Sequence, residues 1–145
     1  MAYLKELKIR YERKRVKDSV LGKSAKSSER IYELFKWMGF ETREIAICLH
    51  LSHQLKILSY EMVGMGDARG LTLDIQGVFR GALLGMASSI VLLHNHPHGN
   101  KRPSKKDIRA FDSLRLIGEL HTIKLQDFMI INENGYCSFE EKGLI

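Results

Sequence analysis

Three side chains able to ligate a metal lie close together in 91-VLLHNHPHGNKRPSKKDI-108. His94 and His96 are two residues apart at the end of an apolar run. Alternate residues of an extended strand face the same side, so both imidazoles can address one point. Asp107 follows after ten intervening residues. Two imidazole nitrogens and one carboxylate oxygen around a divalent ion leave a fourth position for water, the open arrangement of a catalytic zinc site. Water bound there is acidified toward neutral pH and becomes a usable nucleophile. The competing reading is a polar loop whose histidines are merely exposed. Pro97 directly after the pair and Ser104 three residues before the aspartate favour the metal site over that loop.

A strand must deliver the histidines and a helix must return the aspartate. The run 89-SIVLLH-94 is short, apolar and β-rich, and it ends on His94. Ser104 and Asp107 have the spacing of a capping box, opening a helix striped by Ile108, Phe111, Leu114 and Ile117. Upstream, Ser27 or Ser28 caps a helix carrying Ile31, Leu34, Phe35 and Met38, which Gly39 stops. The runs 43-REIAICLH-50 and 55-LKILSYEMV-63 read as strands joined by a turn at Leu51–Gln54. The first is apolar on both faces, as a buried central strand must be. Gly64, Gly66 and Gly70 mark a bend or loop, and a helix starts near Asp74 with Val78, Phe79, Ala82, Leu83 and Met86 on one face. The tail reads as a hairpin, 122-TIKLQDFMIIN-132 turning at Asn134-Gly135 into 136-YCSF-139. Residues 3–17 alternate in places (Leu7, Ile9, Tyr11) and read as an edge strand, and 18–28 as a loop. The order α-β-β-α-β-α-β-β gives one α/β (α+β) domain with a mixed sheet flanked by helices.

A chain of 145 residues with 44% apolar and 28% charged residues can bury its own core and is ordinary for a globular protein. Its apolar runs are too short for a membrane span, and its first residues lack the apolar core of a secretion signal. Cys48 and Cys137 are too far apart for a C-x-x-C site, so neither a disulfide framework nor a thiolate zinc site is expected, and the location expected is cytoplasmic. The net charge of +6 resides entirely in residues 1–30, with ten Lys or Arg against four Asp or Glu; the remainder carries thirteen of each. Residues 1–26 are therefore read as a basic leader and 27–145 as the domain. Residues 1–30 could neutralise phosphates and bind nucleic acid without sequence preference, or stay a solvated leader. His50, His53 and His121 read as surface or satisfied polar groups.

The string H-x-H-P-x6-S-x-x-D, present as His94, His96, Pro97, Ser104 and Asp107, resembles the JAMM motif of the JAB/MPN metalloprotease superfamily. The fuller 94-HNHPHGNKRPSKKD-107 is similar to the form typical of the RadC branch, as are 77-GVFRGALLGMA-87, 89-SIVLLHNHP-97 and 136-YCSFEEKGLI-145. The resemblance covers roughly residues 27–145. It implies a JAB/MPN fold with Zn2+ on His94, His96 and Asp107, and a general base at the start of the first core strand. Glu44 opens 44-EIAICL-49 and fits that place; Glu61, on the neighbouring run, is the second candidate. Ser104 would steady the oxyanion, although an N-cap role accounts for it equally. The implied activity is that of a zinc-dependent hydrolase, a metalloprotease cutting a peptide or isopeptide amide bond in a protein or peptide substrate. The RadC name also carries a link to DNA repair, so the alternative is a DNA-associated accessory protein. His98 stands where RadC members usually carry Ser and is expected to be exposed. Asp127-Phe128 replaces a usual Asp-His, with Asp127 read as a strand-edge charge. Phe111 replaces a common polar residue and is read as packing. These departures leave the triad intact and bear on substrate. His94-Asn95-His96 is not the dispersed signature of HNH nucleases, and the H-x-E…P-C-x-x-C pattern of zinc deaminases is absent.

Overall fold

The structure, a computed structural model, describes residues 1–10 and 20–145. Helix α1 (Ser28–Phe35) runs into a 3-10 turn (Lys36–Phe40) and is followed by strands β1 (Ile45–Leu51) and β2 (Ile57–Met65). Helix α2 (Ile75–Leu84), strand β3 (Ser89–Asn95), helix α3 (Lys105–Leu120) and the hairpin β4 (Lys124–Asn132) and β5 (Gly135–Ser138) complete the order expected from the sequence. The strands form one mixed sheet, β2-β1-β3-β4-β5. Strand β1 is antiparallel to both β2 and β3, and β4 is antiparallel to β5. Strands β3 and β4 are parallel, because α3 carries the chain back across the sheet between them.

Both faces of the sheet are covered, and side-chain alternation divides the core in two. Ala46, Cys48, Leu92, Phe128 and Ile130 face α2 and α3, where Val78, Phe79, Phe111 and Leu114 meet them. Ile47, Leu49, Val91, Leu93, Met129 and Ile131 face the opposite side and pack on Ile31, Phe35 and Met38. Strands β1 and β3 are therefore buried at every residue, which explains their unbroken apolar runs. Each helix begins where a side chain satisfies its first N–H groups. Ser27 accepts from Arg30 N on α1, Asp74 from Gly77 N on α2, and Ser104 from Asp107 N on α3.

Five expectations change, and the first is Met86, which falls past the end of α2 and is exposed with φ +53°. Residues 1–10 carry no strand: the alternation is broken at Leu4, and Tyr3, Leu4, Leu7 and Ile9 stay exposed. Residues 11–17 of that expected strand lie outside the described residues. Gly39 does not end α1, which gives way at Phe35 to the 3-10 turn; a Cβ at Gly39 would run into the Asn132 carbonyl, so close approach explains the glycine. Strand β2 continues through Gly64 to Met65 by bulging between Met62 and Gly64 opposite Ala46 and Ile47, and the turn waits for Asp67–Gly70. Asp127 is a buried residue of an inner strand rather than an edge charge. No described helix is long and apolar enough to cross a membrane.

Candidate metal centre

The site forms where the ends of two antiparallel strands meet the start of a helix. Ala46 pairs with His94, so the register carries residue 44, just before β1, to the level of His96. Strand alternation puts His94 and His96 on the α3 side of the sheet, their rings edge to face with centroids 5.1 Å apart. Asp107 comes to them from the first turn of α3. Its Oδ1 lies 3.1 Å from His94 Nδ1 and its Oδ2 lies 3.1 Å from His96 Nε2. One ligand atom from each of the three residues falls within 4.8 Å of the others. Donors on a tetrahedral zinc with bonds of about 2.0–2.2 Å are about 3.4 Å apart, inside the 4.8 Å limit that the three residues meet.

Asp107 and His96 are each held by a partner behind them. Ser104 N donates to Asp107 Oδ2 at 2.8 Å, while Asp107 N donates to Ser104 Oγ at 3.1 Å. The capping box that starts α3 thus also aims the carboxylate. Burial alone would raise the Asp107 carboxyl, but hydrogen bonds from His94, His96 and Ser104 outweigh it and hold it well below the usual range. His96 Nδ1 lies 2.7 Å from the Asn100 carbonyl and can only donate to it, which leaves Nε2 as the ligating atom. The hydrogen bond to Asp107 raises His96 above the ordinary histidine value. Among the described residues His94 Nε2 is buried without a hydrogen-bond partner. A buried orphan nitrogen is unfavourable unless something else occupies it, and a divalent cation is the group that this donor set suits.

Glu44 Oε1 lies 3.8 Å from His94 Nε2, and Glu44 lines the same cleft as the triad. Glu61 does not reach it: it lies opposite Cys48 on β2 and faces His50 and Gly81 of α2. His98 is exposed, with φ +58° in the turn after Pro97. His50 is buried and only half satisfied, with Nδ1 2.7 Å from Ser59 Oγ and Nε2 without a hydrogen-bond partner among the described residues, while His53 and His121 are exposed. Phe111 packs against Phe128 and Phe139.

The sequence reading missed Asn95. It lies between the two ligands but faces the other side of the sheet, with no exposed surface. Its Oδ1 accepts from Ile45 N at 2.6 Å, and its Nδ2 donates to Arg43 O at 3.1 Å and Met38 O at 3.0 Å. Glu44 is thereby pinned on both sides, and its own carbonyl accepts from Gly66 N at 2.7 Å. The available signal was a lone amide between two histidines at the end of an apolar run.

The family profile described as RadC-like JAB domain matches residues 25–144. The chain belongs to this RadC-like JAB family. A UPF0758 protein of Thermotoga maritima is 32% identical over 117 residues, covering 81% of this chain and 53% of its own length. One from Halalkalibacterium halodurans is 35% identical over 106 residues, covering 73% of this chain and 46% of its own. One from Clostridium perfringens is 28% identical over 135 residues, covering 93% of this chain and 60% of its own. The chain thus spans about half the length of the curated relatives it matches. As a RadC-like JAB domain it has a five-stranded mixed sheet and a group of buried His94, half-buried His96 and buried Asp107 able to hold a metal ion.

Proposed function

We propose that the chain is a zinc-dependent hydrolase of the JAMM type that cleaves a peptide or isopeptide amide bond. The supporting observation is the grouping of two imidazoles, Asp107 and Glu44 around one cleft, with a buried unpartnered His94 nitrogen among them. Zinc on His94, His96 and Asp107 supplies a Lewis acid and lowers the pKa of water. Glu44 takes a proton from the attacking water on its carboxylate and delivers it to the departing nitrogen as the C–N bond breaks, giving an acid and an amine. Ser104 Oγ accepts from Asp107 N and keeps its own O–H to donate to the oxygen that gains charge on the substrate carbonyl. Asn95 holds the backbone on either side of Glu44 so that its carboxylate stays over the cleft. The protein purified with zinc should contain about one ion per chain. His94→Ala or His96→Ala should lose it. Glu44→Gln should keep the ion and lose hydrolysis of a peptide library. A wild-type chain that binds no zinc at neutral pH would rule the proposal out.

A further inference from the structure

A cleft of about 390 Å³ takes in the triad, with Glu44, Arg69, Ser104 and Lys106 completing its polar lining. Ala46, Leu71, Leu73, Leu92, Ala110 and Phe128 line the rest. Leu92 and Phe128 are cross-strand partners on β3 and β4, on the same face as His94 and two residues before it along β3. Ala46, beside His94 on β1, is small enough to leave the floor open. Lys106 Nζ donates to the Leu71 carbonyl, tying the segment before α2 to the start of α3 and fixing the Leu71 wall. The apolar core thus continues to within one residue pair of the ligands.

An apolar lining beside a charged site favours an apolar occupant, because water held there finds few partners. The volume lies at the low end of the roughly 300–1,000 Å³ typical of ligand sites, which suits one side chain with its flanking peptide atoms. We propose that this cleft is a subsite for an apolar side chain of the leucine or phenylalanine class, next to the scissile amide. The inference rests on the metal-hydrolase reading, and it predicts a substrate selected by one buried apolar residue.

Linear acyl hydroxamates test it without any turnover, since the hydroxamate head ligates zinc and the tail must find the cleft. Calorimetric titration of the zinc-loaded full chain with acetohydroxamate, butyrohydroxamate and hexanohydroxamate should show about fourfold tighter binding per added methylene. Phe128→His and the half-buried Leu73→Gln should each reduce that increment below about twofold, with zinc content and acetohydroxamate affinity unchanged. Equal affinity along the series in the wild-type chain, or an increment untouched by both variants, would overturn the subsite and leave the metal site standing. Failure of acetohydroxamate itself to bind would contradict the metal reading, and the subsite with it.

Discussion

Replacing Asn95 tests how the catalytic end of the sheet is held together. Its side chain makes three hydrogen bonds, buried ones to Ile45 and Met38 and a half-buried one to Arg43. In Asn95→Ala the Ile45 N–H and the Arg43 carbonyl lose these partners, whereas the Met38 carbonyl still accepts from Glu41 N at 3.3 Å. An unsatisfied buried polar group costs about 1–3 kcal/mol, so the orphaned Ile45 N–H, with a smaller share from the half-buried Arg43 carbonyl, implies a loss of about 3 kcal/mol. With a urea slope near 2 kcal/mol/M, the midpoint should fall by about 1.5 M while the slope itself stays constant. Zinc stoichiometry should hold, because Asn95 faces away from the ligands, and hydrolysis should fall because Glu44 is no longer fixed. A midpoint within about 0.3 M of wild type, or loss of zinc without loss of stability, would refute the reasoning.

Further outcomes are expected from other groups. Burial pushes the Asp127 carboxyl up to about 6 from its ordinary 3.8, despite hydrogen bonds from Ser138, Glu140 and Phe128. The folded state then holds its proton more tightly than the unfolded one. This contribution is complete below about pH 4, is lost as pH rises through 6, and amounts to about 3 kcal/mol. Urea melts from pH 4 to pH 7.5 should therefore show a fall in the wild-type protein that Asp127→Asn removes. Zinc at about a thousand times its Kd should add about 4 kcal/mol. That raises Tm by about 8–16 °C, which calorimetry should find reversed by a chelator and absent in His94→Ala. We also expect affinity for duplex DNA to reside in the basic N-terminal segment. Deleting residues 1–17, which carry seven Lys or Arg, should flatten the dependence of log K on log salt, and an unchanged slope would place that affinity elsewhere.

What was legible in the sequence depended on how local its cause is. The side of the sheet shared by His94 and His96 follows from strand alternation, and the return of Asp107 follows from the capping box with Ser104. Both are decided within a few residues. The choice between Glu44 and Glu61 was not legible, because it depends on the β1–β3 register that brings residue 44 to His96 and leaves Glu61 beside Gly81. Asn95 was missed and Asp127 misread for the same reason: their partners lie 57 and 13 residues away at the extremes, on segments that only the fold brings together. Glycines misled where their role was contact rather than turning. Gly39 yields to the Asn132 carbonyl, and Gly64 continues a bulged strand.

The most direct test is a crystal structure of the zinc-loaded chain with anomalous data collected at the zinc edge. The account predicts one peak, with nitrogens of His94 and His96 and an oxygen of Asp107 about 2.0–2.2 Å away. It also predicts a Glu44 carboxylate oxygen within about 3.2 Å of the remaining ligand position. A peak elsewhere, no peak at saturating zinc, or Glu44 turned away from that position would contradict it.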